Sequence, residues 1–376
     1  MKCNYYNLKE LATIKYGKNQ KNVISETGDF PIFGTGGLMG YATKYLYDKP
    51  TVMIGRKGTI NKVRYYDKPF WTVDTLFYTE INEDIISPKF FYYLLSRVDF
   101  NQYNEGTTIP SLRTETLNRL EFEVPSLKVQ NKIIKLLEPI ENKIKLNEVI
   151  NNNLEQQAMA IFKSWFIDYE PFPDNISIKW KVGTIKDLSK EIICGKTPST
   201  KKAEYYGSDV PFITIPDMHN KIFSIKTTRS LSIEGAASQI KKMLPKNAIC
   251  VSCIGTAGLV TITSEKSQTN QQINAIIPKD NISPYFIFLL MKTLSNKINK
   301  LGQGGSTIVN LNKEQFSKIE INIPDDISMN YFHQIISPLF NDIFNNQKEN
   351  LLLSALKNNI LPKLLSGELD VSNIDI

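Results

Sequence analysis

An internal repeat runs through this chain of 376 residues and limits the folds open to it. The segment ISPKFFYYLL at residues 86–95 recurs as ISPYFIFLLM at 282–291, and GTTIPSLRTETLNRLEFEVP at 106–125 recurs as GSTIVNLNKEQFSKIEINIP at 305–324. The shared letters are apolar–polar alternations and turn residues, which define a scaffold, whereas the segments between them differ. A chain repeated in this way predicts two related domains that share a fold and differ in their loops.

The repeat divides the chain into four segments. We predict a first domain at residues 1–126, a central helical connector at 127–176, a second domain at 177–326 and a C-terminal helical connector at 327–376. Short runs rich in Val, Ile, Phe and Tyr, broken by Gly, Pro, Asn and Asp, predict β-rich domains. The expected fold class is α+β, with two repeated β-rich domains separated by two long antiparallel coiled-coil helices related by a pseudo-two-fold axis.

Each domain also contains one predicted helix of its own. In the first domain it covers residues 87–98, with Ser87 as N-cap and Pro88 at the first helical position, and its counterpart starts at Ser283 and Pro284. Serine is a preferred N-cap and proline is tolerated at the first helical position, so this pair predicts where each helix begins.

Each connector carries a heptad pattern of apolar residues with two asparagines in its middle. The first seam passes through Ile133, Leu137, Ile140, Ile144, Asn147, Asn151, Leu154, Ala158, Ile161 and Trp165, and the second through Leu339, Ile343, Asn346, Asn350, Leu353, Lys357, Ile360 and Leu364. In a coiled coil, a buried amide lowers stability but fixes the register. In an antiparallel pair, Asn147 would lie opposite Asn350, and Asn151 opposite Asn346. The alternative is that these asparagines face solvent on a loosely amphipathic helix.

Pro139 and Pro338 occupy equivalent positions in the two connectors. An interior proline removes a backbone hydrogen bond and clashes with the preceding turn. We therefore predict that a new helix begins near each proline.

Net charge and composition favour a polyanion as partner. The formal charge is +7, and residues 1–126 carry 16 basic and 14 acidic side chains while residues 178–326 carry 20 and 12. Positive charge confined to two blocks predicts a polyanion contacted twice. The sequence has four cysteines, no apolar run of about 18 residues and a start that lacks an apolar leader. We therefore predict a cytoplasmic protein without a membrane span.

Motifs of catalysis are absent from the sequence, so we predict no catalytic residues, no metal and no cofactor on this chain. Neither a phosphate-binding GxxxxGK[ST] nor a GxGxxG fingerprint occurs, and the glycine-rich FGTGGLMG at 33–40 is interpreted as a surface hairpin or recognition loop. His219 and His333 are interpreted as ordinary surface or partly buried residues. The CxxC match at 250–253 lacks further ligands nearby and is interpreted as part of a strand.

Polar loops follow several of the predicted strands and form the candidate binding site. Arginine and lysine suit phosphates or a guanine edge, glycine-flanked hydroxyls suit phosphates, and glutamine amides suit adenine. For any one residue, an ordinary solvated turn is at least as good an interpretation, whereas the set as a whole favours DNA. The predicted DNA-binding residues are Arg56, Lys57, Thr107, Thr108, Arg113, Lys196, Thr197, Gln271, Gln272, Ser306, Thr307 and Lys313.

The whole chain resembles the specificity subunits of type I restriction-modification enzymes. The stretch NKIIKLLEPIENKIKLNEVINNNLEQQAMAIFKSWFIDYEPF at 131–172 follows the central region of that family, and LPKLLSGELDV at 361–371 is similar to its closing segment. GTTIPSL and GGSTIVNL, each followed by a strand, match the ends of its target recognition domains, and GKTPSTKKAEYYGSDVPFI at 195–213 matches the opening of one.

This resemblance implies a non-catalytic reader of double-stranded DNA. Each domain would be a target recognition domain for one half of a split sequence, and the helices would fix the unread gap and dock two methyltransferase subunits. Those partners would carry S-adenosylmethionine, and a motor-nuclease restriction subunit would join for cleavage. A helix over residues 139–167 would be about 43 Å long, close to the length of about 12 to 13 base pairs.

Three other interpretations remain open from the sequence. The chain would act as the specificity subunit of a type IIB-like enzyme if a cutting-and-modifying partner were fused or adjacent to it. It would be a structural adaptor if its helices and domains bound only protein. DNA affinity that falls with salt would distinguish a DNA-binding subunit from such an adaptor. A two-domain enzyme with an unrecognised site is disfavoured by the missing motifs.

Overall fold

The computed structural model describes residues 2–169, 180–303 and 310–374. They form two compact units, Met1–Lys143 with Leu353–Ile376, and Ile144–Leu352. Each unit therefore contains one β-rich domain together with part of both long helices.

The first domain contains two small sheets and a separate pair of strands. Strand β1 (Cys3–Asn7) pairs antiparallel with β9 (Glu121–Pro125), joining the two ends of the domain. The strands between them are β2 (Ala12–Tyr16), β3 (Phe30–Gly34), β4 (Gly37–Ala42), β5 (Thr51–Gly55), β6 (Arg64–Tyr66), β7 (Trp71–Thr72) and β8 (Leu76–Ile81). They form one sheet in the order β2-β8-β5-β6 and another in the order β4-β3-β7. Helices α1 (Leu8–Leu11), α2 (Pro88–Leu95) and α3 (Thr114–Leu117) and the 3-10 turn Phe100–Tyr103 complete it.

The second domain repeats this plan. Strand β10 (Lys181–Thr184) pairs antiparallel with β20 (Glu320–Ile323), as β1 does with β9. A five-stranded sheet contains β11 (Ser189–Cys194), β14 (Phe223–Ser224), β16 (Ile249–Ser252), β17 (Val260–Thr263) and β19 (Ile273–Pro278), and a four-stranded sheet contains β12 (Tyr206–Gly207), β13 (Val210–Ile213), β15 (Arg229–Leu231) and β18 (Gln268–Thr269). Its helices are α5 (Ile185–Leu188), α6 (Ile215–Met218), α7 (Ile233–Ala237), α8 (Pro284–Thr293), α9 (Ser295–Gln303) and α10 (Lys313–Ser317), with 3-10 turns at Ala203–Tyr205 and Ile240–Lys242.

The predicted starts of the domain helices are confirmed, since α2 begins at Pro88 after Ser87 and α8 begins at Pro284 after Ser283. Helix α2 ends at Leu95, three residues earlier than predicted, because the chain continues as a turn in which the Val98 amide donates to the Leu95 carbonyl. Burial of its apolar face, including Phe90, in the core of the first domain holds the helix in place.

Two helices of 40 residues each, α4 (Leu127–Phe166) and α11 (Asp326–Leu365), form the connectors. The prediction that a new helix begins near each proline is wrong, because Pro139 lies inside α4 and Pro338 inside α11. A proline costs about 3 kcal/mol in a helix interior. Buried residues on both sides of each proline, such as Leu137 before Pro139, keep the helix continuous. Each helix is about 60 Å long rather than about 43 Å, so the estimate in base pairs no longer applies.

The heptad seam is confirmed, because every seam position predicted in α4 and α11 is buried or half-buried. In α4 the fully buried line moves after Ala158 from Ile161 and Trp165 to the adjacent Phe162 and Phe166. A straight helix drifts relative to a strict heptad, and here the drift turns both phenylalanines into the core of the second domain. The predicted α+β class, with two repeated domains and two long helices packed antiparallel, is confirmed, while the predicted domain boundaries stay predictions.

Candidate nucleic-acid interface

In the first domain, two loops predicted to contact DNA lie side by side. The main-chain amide of Leu112 donates to the Arg56 carbonyl at 2.9 Å, and Lys57 pairs with Ser111 in an antiparallel bridge. The Arg56 amide in turn donates to the Thr75 carbonyl at 2.9 Å. Three segments distant in the sequence therefore meet at the ends of their strands, and they bring the basic turn next to the hydroxyl-rich loop.

The Arg56 side chain is held in a fixed position within this frame. Its Nη1 donates to the Asp74 carbonyl at 3.0 Å, and its guanidinium lies over the Tyr16 ring, 5.0 Å from the centroid. Tyr16 packs edge-on against Phe77 with ring centroids 5.0 Å apart. Arg56 is half-buried, whereas Lys57 is exposed, so the two basic residues of the turn present different surfaces.

The remaining predicted residues of the first domain lie on the neighbouring loop. Thr107 and Thr108 are exposed. Arg113 is also exposed, and its Nε forms an ion pair with Glu105 Oε2 at 3.0 Å. Glu105 therefore competes with any anion for Arg113, and the two threonines are the more accessible groups of this loop.

The second domain contains the same backbone frame with different side chains. The Leu311 amide donates to the Cys253 carbonyl at 3.0 Å, the Cys253 amide donates to the Gln272 carbonyl at 2.8 Å, and Ile254 pairs with Asn310. Gly58 and Gly255 follow the two turns with φ of 86° and 75°, a conformation that favours glycine. Cys253 thus occupies the place of Arg56 and is only 1% exposed.

Four of the predicted residues of the second domain come together beside this frame. Thr197 Oγ1 donates to Gln271 Oε1 at 2.8 Å, and Gln239 Nε2 donates to the Lys196 carbonyl at 2.7 Å. Asn270 Nδ2 donates to Gln272 Oε1 at 3.0 Å. The loop at 196–197 and the glutamines at 271–272 therefore form one polar surface.

Of the three remaining predicted residues, only Lys313 is among the described residues. Ser306 and Thr307 lie outside the described residues. Lys313 is exposed at the first position of α10, after the N-cap Asn312. None of these observations tests whether the twelve residues contact DNA, and that assignment stays a prediction.

Sequence reasoning missed Tyr16, Asp74 and Gln239, which position Arg56 and Lys196. A signal for Tyr16 was present, because IKYGK at 14–18 matches IICGK at 192–196 and extends the repeat. The contribution of Asp74 is a main-chain carbonyl, which no residue pattern reveals.

The asparagines of the two helices pair within the second unit. Asn147 Nδ2 donates to Asn350 Oδ1 at 2.9 Å, and Asn346 Nδ2 donates to Asn151 Oδ1 at 2.9 Å. Asn350 Nδ2 also reaches the Ile144 carbonyl at 3.2 Å, and Asn147 is fully buried. The predicted pairs are confirmed and the solvent-facing alternative is wrong, while their role in fixing the register stays a prediction.

A half-buried ionic cluster joins the helices in the first unit. Glu141 on α4 accepts hydrogen bonds from Lys357 on α11, from Lys89 on α2 at 2.7 Å and from the Tyr93 hydroxyl at 3.1 Å. Burial alone would raise the pKa of Glu141, but the hydrogen bonds from Lys357 and Lys89 outweigh it and lower that pKa. The seam position of Lys357 is therefore compatible with packing because a carboxylate faces it.

The repeat places an apolar cluster at the equivalent positions of the second unit. Phe340 stands where Glu141 stands, Tyr285 replaces Lys89, and Ala158 replaces Lys357. The Phe340 and Tyr285 rings stack with centroids 4.3 Å apart, and Ala158 is fully buried. The two units thus use the same positions for an ionic contact in one and an aromatic contact in the other.

The interpretation of both histidines as surface or partly buried residues is confirmed, and the interpretation of the CxxC cysteines as strand residues holds for Cys250 only. Cys250 lies in β16 and Cys253 follows it, and burial raises the pKa of both thiols to about 12. His219 is exposed, and half-buried His333 bonds Ser283 Oγ through Nδ1 at 2.8 Å. Within the described ranges, no group of His, Cys, Asp and Glu side chains is arranged to hold a metal ion. The segment 33–40 spans the β3–β4 hairpin, as predicted.

These features define a class: a duplicated protein with two related β-rich domains, in which a shared backbone frame holds different side chains. The family model described as the type I restriction modification DNA specificity domain matches residues 2–156 and again residues 177–353. The chain therefore belongs to the type I restriction-modification DNA specificity family.

Curated relatives are similar over most of their length. The chain is 34% identical to the type I restriction enzyme HindI specificity subunit of Haemophilus influenzae, with 77% of this chain and 79% of that protein covered. It is 27% identical to the MjaIX specificity subunit of Methanocaldococcus jannaschii, with 88% and 80% covered. The family match favours the specificity-subunit interpretation over the type IIB-like and adaptor alternatives.

A solved structure supports the fold. The type I restriction-modification S subunit from M. genitalium has a TM-score of 0.60 at 18% identity, with 97% of this chain and 96% of that chain covered. In the part of the chain that is described, no helix combines the length and apolarity needed to cross a membrane.

Proposed function

We propose that this chain is the non-catalytic DNA-reading subunit of a type I restriction-modification enzyme. Each domain reads one half of a split, asymmetric sequence in double-stranded DNA, and the length of the helix pair sets the number of unread base pairs. The observation that carries this proposal is the shared backbone frame around Arg56 and Cys253, which holds different side chains in the two domains. A common frame with variable polar contents suits two readers of different sequences.

The proposed protein partners are two methyltransferase subunits, which carry S-adenosylmethionine, and a motor-nuclease subunit for cleavage. The helix surface supports docking, because Leu146, Val149 and Ile150 of α4 are 54%, 51% and 36% exposed although they are apolar. Residues spaced three and four apart lie on one face of a helix, so they form a stripe away from the seam.

We place the assembly in the cytoplasm, where chromosomal DNA is the substrate.

Salt dependence tests DNA binding by the purified chain. We expect its affinity for a labelled duplex, followed by fluorescence anisotropy, to fall about 10- to 100-fold or more between 50 and 200 mM salt, because phosphate contacts release counterions. A matched measurement with an acidic protein of similar size supplies the baseline. An adaptor that binds only protein would show no such affinity at any salt concentration.

Transfer of radiolabelled methyl groups tests the non-catalytic assignment. The purified chain with DNA and S-adenosylmethionine should transfer none, and addition of a methyltransferase subunit should produce labelled adenine. Turnover by the chain alone would contradict the proposal.

A further inference from the structure

Three positions of the shared frame hold different side chains in the two domains. Backbone bonds fix the correspondence, since the Lys18 amide donates to the Thr72 carbonyl at 2.8 Å as the Lys196 amide does to the Thr269 carbonyl at 2.9 Å. The corresponding pairs are Tyr16 with Cys194, Arg56 with Cys253, and Asp74 with Gln271. The chemistry presented by each domain therefore changes at the same three points.

In the first domain these positions build a fixed arginine fork. The Tyr16 ring supports the Arg56 guanidinium at 5.0 Å, and the Asp74 carbonyl accepts from Nη1 at 3.0 Å, which leaves other N–H donors of the fork available. Tyr16 is 49% exposed, so its edge and the fork reach the surface together. A planar arginine held on an aromatic ring loses little entropy on binding, and guanine O6 and N7 form the acceptor pair that fits it.

In the second domain the position of Arg56 holds Cys253, a neutral side chain that is only 1% exposed. That position therefore offers no cationic donor. Of the three varied positions, the one that holds an exposed polar side chain is that of Gln271, whose Oε1 accepts from Thr197 Oγ1 at 2.8 Å. That bond orients the amide while its Nε2 remains a donor and its Oε1 keeps a second lone pair. A glutamine amide so oriented matches adenine N7 and N6.

We propose that Arg56 reads a guanine in the half-site of the first domain, with Tyr16 as its positioning residue, and that Gln271 reads an adenine in the half-site of the second domain, with Thr197 as its positioning residue. This inference rests on the proposed function and adds the base that each domain recognises.

Sequencing of methylated bases tests it in the full chain co-expressed with a methyltransferase subunit. Arg56→Ala should remove the preference for guanine at one position of one half-site, with the other half unchanged. Gln271→Ala should remove an adenine preference in the other half only. Each variant should bind a duplex of the wild-type motif about 10- to 100-fold more weakly than the wild-type chain does. Changing the recognised base in the duplex should then cause no further loss of affinity. The matched control Arg97→Ala, an exposed arginine beyond α2, should leave the motif unchanged.

The positioning residues have their own test. Tyr16→Phe should keep the guanine preference because the ring remains, and Tyr16→Ala should lose it. Thr197→Ser should keep the adenine preference, and Thr197→Val should weaken it. In each pair, the conservative variant should keep the base preference and the disruptive variant should weaken it at that one base. A merely structural role would instead weaken binding at all bases of the half-site.

Two outcomes would overturn the inference. One is a motif that stays unchanged in both halves with Arg56→Ala and Gln271→Ala, and the other is uniform weakening at all bases, which marks a phosphate contact. Failure of the proposed function looks different, because the wild-type chain would then give no two-part motif at all.

Discussion

Asn147 donates its side-chain amide to Asn350, and Asn346, its equivalent in the repeat, donates in the same way to Asn151. Helix α4 is the donor in the first hydrogen bond and α11 is the donor in the second. The repeat in the sequence therefore corresponds to a local two-fold relation in the packing. An amide pair of this kind accepts one register, since a shift by one heptad would set Asn147 opposite Ile343 and Asn151 opposite Leu339, which are apolar.

Replacing all four asparagines with leucine should raise the thermal midpoint and permit wrong pairing, because leucines at seam positions stabilise many registers. Asn147→Leu with Asn151→Leu alone should instead lower stability by about 1 to 3 kcal/mol, since Asn350 Oδ1 and Asn346 Nδ2, in half-buried side chains, lose their hydrogen-bond partners. Light scattering after size-exclusion chromatography measures the states present. A fourfold variant with one unchanged oligomeric state and full assembly would contradict the register role.

The ionic cluster of the first unit should be replaceable by the apolar cluster of the second. Glu141→Gln should cost roughly 2 to 4 kcal/mol, because it leaves Lys89 and Lys357 without their carboxylate. The triple variant Lys89→Tyr, Glu141→Phe and Lys357→Ala, which copies Tyr285, Phe340 and Ala158, should recover most of that loss. Urea unfolding followed by fluorescence measures both. A triple variant no more stable than Glu141→Gln would show that the clusters are not equivalent.

Asp217 should make the stability of the second domain depend on acid pH. Burial alone would raise the pKa of this carboxylate, but hydrogen bonds from Thr214 and Thr228 lower it below 3.8. A depressed folded-state pKa stabilises the fold above the unfolded value and loses that stability as pH falls through the folded value. Asp217→Asn should therefore cost about 3 kcal/mol at pH 7, and the difference from wild type should shrink below about pH 4.

The matched control for this experiment is Asp187→Asn. Asp187 forms the same capping box with Thr184 but is exposed. Its loss should be smaller at every pH. Equal losses for both variants, or a deficit for Asp217→Asn that is no smaller at pH 3 than at pH 7, would contradict the account.

Backbone strain should make glycine the preferred residue at position 58, in the turn after Arg56. Gly58 has φ of 86°, so Gly58→Ala should destabilise the first domain by about 1 to 2 kcal/mol through backbone strain. Among the described residues, a Cβ at position 58 would meet only Thr35 Oγ1, at 3.8 Å, which is an ordinary contact, so steric overlap adds nothing. Gly36→Ala is the control, because a Cβ there would meet no atom of the described residues within 4 Å. Equal midpoints for the two variants in thermal unfolding would exclude the strain.

Much of the fold could be predicted from the sequence because the repeat and the heptad seam are local patterns. The asparagine pairs followed from spacing alone once the helices were taken as antiparallel. Glu141 could not be predicted, since it lies beside the seam and its burial depends on Lys89 from another element. The prolines were misjudged because burial of the flanking helix outweighs the local preference to end it.

The candidate site was only partly predictable for the same physical reason. Arg56 and Lys57 stood out by residue type, but the support of Arg56 by Tyr16 joins loops 40 residues apart, counted along the chain. Only tertiary packing brings such loops together, and the burial of Cys253 at the equivalent place has no marker in the sequence.

Sequencing of methylated bases after co-expression of the chain with a methyltransferase subunit tests the central claim most directly. We expect methylated adenines in a two-part motif with an unread gap of constant length, and substitutions in one domain should change only one part. A single contiguous motif, or a gap that varies from site to site, would contradict the assignment of one half-site to each domain and of the gap to the helices.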